Sequence, residues 1–341
     1  MPDKRQTLNV LLTLRFTPAQ LDKLRAVSPR LHIQQRALRQ GMKLTEVLDP
    51  HVHILYTAAA EFPLSMTPEL RWVQLHSAGI DTLMTTEVWS SDLPLTSLNG
   101  IHAVPMAEYV IALMLAFAHR VPRMLDYQRR TEWARERWAT FVPLEIRGKT
   151  LGLVGYGAIG REVARLGKAL GMRIVATKRT ASDPRYTGWQ QPGVGDPEGR
   201  LPERFYPPEE LRALLAESDY IVVTAPLTPD TRHLIGVAEL AAMKPSAFLV
   251  NVGRGAVIDQ AALVAALQAG KLAGAGLDVF DPEPLPVDSP LWDMDNVILS
   301  PHISGFTPRY DDWATDLFAE NLRRFLDDEP LINLVDRSRG Y

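Results

Sequence analysis

Three segments that each follow an apolar run carry side chains that together could reduce a carbonyl. Gly253-Arg254-Gly255 follows residues 247–252, Asp281-Pro282-Glu283-Pro284 follows 276–280, and Pro301-His302-Ile303-Ser304 follows 297–300. The planar fork of Arg254 can bind a carboxylate and polarise the carbonyl next to it. His302 can give a proton to the carbonyl oxygen as hydride arrives, or take it back in the oxidative direction. A carboxylate such as Glu283 nearby would favour the imidazolium and raise the histidine into a working range. Each of the three alone reads as easily as a surface or loop residue. Their conjunction at the ends of successive apolar runs is what points to a site, because open α/β sheets bind ligands outside the carboxyl ends of their strands.

The hydride source has its own signature. Gly155-Tyr156-Gly157-Ala158-Ile159-Gly160 follows the apolar Leu151-Gly152-Leu153-Val154 and opens a helical segment over 161–170. In that context the first glycine permits a tight turn, the second lets backbone approach a pyrophosphate, and the third lets helix pack on strand. The helix start then offers unpaired N–H groups and a partial positive charge to the phosphates. The next run, Arg173-Ile174-Val175-Ala176-Thr177, ends in Lys178-Arg179-Thr180. An NAD-selective site carries an acid there for the ribose hydroxyls. Here two cations stand instead, and cations attract a 2′-phosphate. NADP(H) is therefore expected over NAD(H), with NAD(H) still possible; a solvated basic turn is the alternative reading.

The elements that must hold these residues follow from periodicity. Short branched runs alternate with helical segments, the pattern of parallel sheets covered on both faces. Strands are expected at 8–14, 53–57, 71–76 and 95–98, with a helix opening at Thr17-Pro18. Residues 105–138 read as one long helical pattern. Strands resume at 151–154, 173–177, 220–225, 247–252, 273–280 and 297–300. A final amphipathic helix over 309–326 returns the chain to its first domain. Residues 181–208 hold six prolines and four glycines, which neither a helix nor a strand interior tolerates. They read as a long loop, functional or disordered.

Composition narrows the class. At 341 residues two domains are expected, and the 46 % apolar content suits folded domains. Net charge is −3, so no global field favours nucleic acid or an anionic membrane. The Arg129–Arg137 region interleaves Glu132 and Glu136, a self-paired solvated face. There is no cysteine, which removes disulfides, thiolate nucleophiles and cysteine metal sites. His51 and His53 lack a carboxylate pattern, and no metal is expected. The polar start and the early Arg15 do not read as a signal peptide, and no apolar run reaches membrane length. A cytoplasmic protein is expected.

These segments resemble the D-isomer-specific 2-hydroxyacid dehydrogenase family over essentially the whole chain. The carriers are 155–160, Asn251-Val252-Gly253-Arg254-Gly255, the 276–284 run and Ser300-Pro301-His302. The resemblance implies an α/β architecture of two doubly wound parallel-sheet domains. Residues 1–103 and 306–341 would form a discontinuous flavodoxin-like substrate domain, and 104–305 a Rossmann cofactor domain. It implies catalytic Arg254, Glu283 and His302, with Glu283 paired to His302 and Asp278 near the nicotinamide. Ala225, Pro226, Thr231, Val252, Gly253, His302 and Gly305 would join the glycine loop and the Lys178 turn around the cofactor. His76-Ser77-Ala78-Gly79-Ile80-Asp81 resembles the substrate loop, so Ser77, Ala78 and Gly79 would hold the substrate carboxylate with Arg254 and His302. The 105-onward helix resembles the part through which the family forms homodimers. Departures are Ala225 where His or Cys is frequent, the missing acid at Lys178, and no regulatory domain after Leu326. Glu283 stands where formate dehydrogenases carry Gln. The activity implied is glyoxylate or hydroxypyruvate reduction. Alternatives are 3-phosphoglycerate dehydrogenase, for which only His76 and Arg309 offer cations, and a dinucleotide-sensing corepressor-like protein, since fold does not fix function.

Overall fold

The computed structural model describes residues 6–80, 83–180 and 182–340. Most of the polar start, Asp81 of the Ser77 loop and Ala181 at the head of the long loop lie outside the described residues. The chain forms two compact units. One comprises Met1–Ile101, Thr187–Trp189 and Thr307–Tyr341, the other His102–Tyr186 and Gln190–Phe306.

The first unit is built on β1 (Leu8–Leu12), β2 (Leu31–Gln35), β3 (Ile54–Thr57), β4 (Trp72–Leu75) and β5 (Leu95–Thr96), all parallel, in the order β2-β1-β3-β4-β5. Successive side chains on a strand point to opposite faces. Val10, Leu12, Ile54, Tyr56 and Trp72 fill one face together with Phe318 and Leu322 of the C-terminal helix (Tyr310–Leu326). Leu11, Leu55, Val73 and Leu75 fill the other. Both faces are covered, which is why these strands read as unbroken apolar runs. The edge strand β2 is half polar (Leu-His-Ile-Gln-Gln) and was not visible as a run for that reason. Thr17 caps the helix Pro18–Arg25 through a reciprocal box with Gln20, with proline at its start.

The second unit carries β6 (Thr150–Val154), β7 (Arg173–Thr177), β8 (Arg204–Tyr206), β9 (Tyr220–Val223), β10 (Phe248–Asn251), β11 (Gly274–Leu277) and β12 (Val297–Leu299), in the order β12-β11-β10-β9-β6-β7-β8. Its central helix, Ala103–Ala118, lays Val110, Met114 and Phe117 over Phe248 and Val250 of β10. The expected 105–138 helix is broken. Arg120 takes a left-handed backbone (φ 57°), and Pro122 begins a new helix, Val121–Arg129, followed by a single turn at Arg137–Thr140. A left-handed residue ends the helical hydrogen-bond ladder, and proline suits the first turn of the next. Among the described residues no single helix is long and apolar enough to cross a membrane. The 181–208 segment is shorter as a loop than its composition implied, because Arg204–Tyr206 pairs with β7 as an edge strand.

Candidate active site

The second sheet turns back on itself between β6 and β9, and the glycine loop lies at the end of β6. Gly155 has φ +103°, and a side chain there would meet Ala225 N and Thr224. A Cβ on Gly160 would clash with the Gly155 carbonyl. Beside Gly157 there is open space, and this residue is the N-cap of the helix Ala158–Ala169 with no side-chain cap bond. The first-turn N–H groups thus face a cradle that only a glycine leaves wide, a fit for a dinucleotide pyrophosphate. Ala158 begins the helix, and Ile159 packs against the core. Tyr156 turns its ring inward; its hydroxyl donates to Asp196 Oδ2 (2.6 Å), so its backbone is what the loop offers. Val252 is buried, its N–H bonded to Val223 O (3.3 Å). Gly253 passes so close to the Ala225 carbonyl that a Cβ would lie 2.9 Å from it. Thr231 closes the turn after β9, donating to Pro226 O (2.6 Å) and accepting from Thr228 N (2.7 Å). Gly305 lies under the His102 ring, which a Cβ at this position would approach to 2.8 Å.

At the end of β7 the three residues separate in role. Lys178 Nζ donates to the carbonyls of Asp183 and Arg185, the second at 3.0 Å. Burial and the nearby Arg161 hold its ammonium below the usual lysine range. Arg179 and Thr180 are exposed. Asp183, three residues after Thr180, is clasped by Arg185 through two bonds of 3.0 and 3.1 Å, which hold its carboxyl down at about 2. Behind this turn, Arg161 is fully buried and anchors the long loop. Its guanidinium donates to the Asp196 and Pro184 carbonyls and lies over the rings of Tyr156 (4.5 Å) and Tyr186 (5.3 Å). Burial pushes the Tyr186 hydroxyl up to about 12. Asp196 in turn accepts from Arg200 N (3.0 Å) and Leu201 N (2.9 Å). A charged residue directly after a glycine loop, on the buried side of its helix, was the available signal for this anchor.

Arg254, Glu283 and His302 follow the three neighbouring strands β10, β11 and β12. Asn251 braces the Arg254 turn, accepting from Gly253 N (3.1 Å) and donating to Arg254 O (3.1 Å). The Arg254 guanidinium donates to Gly253 O (2.9 Å). Glu283 accepts from Phe280 N through Oε1 (2.9 Å), and its Oε2 stands 2.8 Å from His302 Nδ1. The pair is half exposed, 51 % for the imidazole and 37 % for the carboxylate. With Nδ1 held by Glu283, Nε2 is the ring nitrogen left to a ligand.

Asp278 explains how the imidazole is placed. It is fully buried, and both of its oxygens are used by the His302 turn. Oδ1 accepts from Ser300 Oγ (2.6 Å) and Ile303 N (2.9 Å), and Oδ2 from Ser304 N (2.9 Å). His302 N adds a bond to Asp278 O (2.9 Å). These bonds surround a left-handed His302 backbone (φ 54°), a conformation that costs about 1–2 kcal/mol for a residue with a Cβ. Ser300 is itself bonded to Tyr109 of the central helix. Burial raises the Tyr109 hydroxyl. Ser300 stood out only as part of the Ser300-Pro301-His302 segment and Tyr109 not at all, because a hydroxyl after a strand or in an apolar helix has no pattern of its own.

In the first unit, Ser77, Ala78 and Gly79 follow β4. Ser77 Oγ donates to Gly79 O (2.8 Å), and Leu98 N to Ser77 O (2.8 Å), which fixes the turn. Just before it, His76 is mostly buried between Tyr56, whose hydroxyl is 2.7 Å from Nδ1, and Asp311, 3.5 Å from Nε2. Burial holds His76 below its usual value, against the pull of Asp311. Arg309 lies over the Trp313 ring at 4.9 Å.

A glycine loop at the switch of one parallel sheet, with an acid–base pair beside an arginine on its neighbouring strand ends, defines a nicotinamide-dinucleotide-dependent oxidoreductase. Residues 111–304 match the model of the D-isomer specific 2-hydroxyacid dehydrogenase, NAD binding domain. A glyoxylate reductase of Aeropyrum pernix is 39 % identical over 278 residues, 80 % of this chain and 78 % of that protein. The crystal structure of a D-isomer specific 2-hydroxyacid dehydrogenase from Xanthobacter autotrophicus Py2, in complex with NADPH and MES, has a TM-score of 0.76 at 30 % identity, covering 98 % of this chain and 100 % of that one. An NADPH-dependent glyoxylate/hydroxypyruvate reductase from Sinorhizobium meliloti, in complex with NADP and sulfate, gives 0.76 at 25 % identity, covering 98 % and 100 %. The chain belongs to the D-isomer specific 2-hydroxyacid dehydrogenase family. It is an oxidoreductase that uses a nicotinamide dinucleotide and acts on small 2-oxo or 2-hydroxy acids.

Proposed function

We propose that this enzyme reduces small 2-oxo acids of the glyoxylate and hydroxypyruvate type to their D-2-hydroxy acids with NADPH. The observation that carries the reading is the 2.8 Å Glu283–His302 pair on the strand end next to that of Arg254. A bound dihydronicotinamide supplies the hydride to the carbonyl carbon. Arg254 binds the substrate carboxylate and polarises the carbonyl; the N–H groups of Ser77, Ala78 and Gly79 hold the same carboxylate. His302 gives the proton from Nε2 to the carbonyl oxygen, and Glu283 stabilises the imidazolium before that transfer. Asp278 acts by shaping the His302 turn. The first unit is the substrate domain and the second the cofactor domain.

NADPH preference rests on Arg179 and Thr180, exposed after β7 with Asp183 neutralised by Arg185. Lys178 fixes the turn that presents them. Two relatives of known structure hold NADPH or NADP, which supports the same preference. Homodimer formation is supported by an apolar surface that few monomers leave in water: Trp133 is 84 % exposed, Trp138 80 %, and Met124, Leu125 and Val142 are also exposed. The cytoplasmic NADPH pool fits the reductive direction. The test is spectrophotometric turnover of glyoxylate and hydroxypyruvate with NADPH and with NADH, His302→Ala alongside. Turnover that favours NADPH and collapses in the variant is expected; undiminished turnover in His302→Ala overturns the proton-donor assignment.

A further inference from the structure

The first unit has a cavity of about 360 Å³ at the edge of its sheet opposite the Ser77–Gly79 turn. Its lining comes from residues that lead into strands: Gln6 and Leu8 at the head of β1, Arg30 directly before β2, Arg71 directly before β4 and Pro94 directly before β5. The Ser77 turn leaves β4 at the carboxyl edge, where open sheets hold their substrates. A cavity at the amino edge is therefore separate from it.

The remaining wall is the last turn of the C-terminal helix, Phe325 and Leu326, and the segment that follows it. That segment is fixed. Ile332 exchanges two bonds with the buried Asn321, N to Oδ1 at 2.8 Å and Nδ2 to O at 3.0 Å, and Arg324 donates to Pro330 O (3.1 Å). Val335 N then bonds Leu95 O of β5 (2.8 Å). The cavity is thus preformed, at the small end of the roughly 300–1,000 Å³ of ligand pockets. The helix has 17 residues and is about 25 Å long. Tyr310, at its other end, donates to His76 O (3.1 Å) beside the Ser77 turn, so turn and cavity lie at opposite ends of one helix.

Two guanidinium groups and two carboxylates line the cavity, and their states differ. Glu329 is paired with Arg323 at 2.9 Å, and Asp328 is exposed at the rim. A carboxylate in water needs no partner. Arg71 is half-buried and gives one N–H to Gln6 (2.8 Å). Arg30 is also half-buried, and its Nε is buried with no hydrogen-bond partner among the described residues. A buried donor without an acceptor is costly, and few folded proteins keep one without a reason. The planar fork of a guanidinium is met best by the two oxygens of a carboxylate. Leu8, Phe325, Leu326 and Leu331 offer hydrocarbon around it. Cations inside, apolar walls and acids only at the rim or already paired describe a ligand with one anionic end and a short hydrocarbon tail.

We propose that this cavity binds a small aliphatic carboxylate at a place distinct from the catalytic centre, its carboxylate on Arg30 and Arg71 and its tail against Phe325, Leu326 and Leu331. The assignment is independent of the substrate and cofactor reading, since none of these residues takes part in it.

The test is calorimetric titration of the full chain with 4-methylpentanoate. A carboxylate can also reach Arg254, so Arg30→Met and Arg254→Met are titrated beside the wild type. Binding weakened about tenfold or more in Arg30→Met, one charge-assisted contact's worth, and kept in Arg254→Met is expected. No binding to the wild type, or binding kept in Arg30→Met and lost in Arg254→Met, overturns the site. Each CH2 added from propanoate to pentanoate should lower Kd about threefold; a Kd that ignores chain length overturns the apolar tail contact. Leucine has the skeleton of 4-methylpentanoate with an ammonium beside the carboxylate, and that cation would lie among guanidinium groups. It should bind more weakly, and tighter binding overturns the carboxylate class in favour of a zwitterion. Should Arg30→Met fail to fold, Leu334→Ser replaces it: this wall residue is 56 % exposed, so its loss spares the fold. The variant should bind 4-methylpentanoate about threefold more weakly and propanoate unchanged; equal affinity for 4-methylpentanoate overturns the site.

Discussion

Asp278→Asn separates two roles that one carboxylate could have, contact with the nicotinamide or control of the His302 turn. The side chain accepts three hydrogen bonds from the turn, two at Oδ1 and one at Oδ2. Asparagine can keep its oxygen at the first position, where Ser300 and Ile303 remain bonded. Its NH2 group then faces the Ser304 N–H, donor against donor. One buried N–H left without an acceptor costs about 1–3 kcal/mol. The two surviving bonds lose their charge assistance, for a total of roughly 2–4 kcal/mol. Against this, the left-handed backbone of His302 is disfavoured by about 1–2 kcal/mol even in the native protein. The loss exceeds the strain, so the turn should relax and carry the imidazole away from Glu283. Each 1.4 kcal/mol by which the productive turn is disfavoured lowers its population about tenfold. Steady-state kinetics with NADPH and a small 2-oxo acid should show kcat down about 10- to 100-fold with KM for NADPH within a few-fold. The midpoint of thermal unfolding should fall by about 2–4 °C for each kcal/mol lost in a domain of this size. Native kcat and Tm would refute the reasoning. A raised KM for NADPH at unchanged kcat would move Asp278 onto the cofactor.

Glu283→Gln keeps an acceptor near His302 Nδ1 but removes its charge, so kcat should drop by about tenfold or more with Tm nearly unchanged, the pair being half exposed; steady-state kinetics with parallel unfolding curves checks both. Arg161→Met leaves the Pro184 carbonyl without its donor and the Asp196 carbonyl with Gly199 N alone, and a loss of about 1–3 kcal/mol is expected. Limited proteolysis should then cut within 182–203 faster than in the wild type, whereas Arg165→Met, at the exposed end of the same helix face, should not accelerate it. His76→Gln bears on acid stability. The buried imidazole is held below its usual value, while the unfolded chain takes up its proton near about pH 6.5. Below that pH the unfolded state binds more protons, so the wild type loses stability as pH falls towards the folded-state value, and a glutamine does not. The Tm difference between about pH 7.5 and pH 5 should therefore be smaller in the variant; equal differences would refute the assignment.

The strands that carry the site were legible because each is buried on both faces. Leu11 and Leu12 of β1, or Leu249 and Val250 of β10, belong to opposite clusters, so their runs are apolar throughout and stand out from polar turns. The strand β2 failed the same criterion, with one buried residue in five, and so did β8, at the sheet edge among prolines. The glycine loop was legible for a related reason. A backbone that must take φ +103° at Gly155 and pass under a carbonyl at Gly160 admits one residue type, and the constraint appears as letters. The long helix was misread because Arg120 gives no sign in its type that it is left-handed; only Pro122, two residues on, marks the break.

Side-chain partnership is where letters stop being informative, and Lys178 shows why. Two cations after β7 read as two ligands for a phosphate, since charge is all that the pattern contains. In the folded chain one ammonium is spent on the carbonyls of Asp183 and Arg185, five and seven residues on, while Arg179 and Thr180 lie at the surface. Asp278 repeats the lesson with the opposite sign: a carboxylate expected at a ligand has both oxygens committed to a turn 22 to 26 residues away. The strand order brings Asp278 its distant partners and the local turn brings Lys178 its near ones, and in each case a buried or half-buried charge takes the nearest polar partner because leaving it without one is too costly. The residues that stay available for chemistry are then those whose neighbours are already satisfied. His302 keeps Nε2 because Glu283 occupies Nδ1, and Glu283 can do so because Phe280 N fixes its other oxygen. The site is what remains exposed after the fold has met its own polar demands, which is a property of the assembled sheet and not of any one segment.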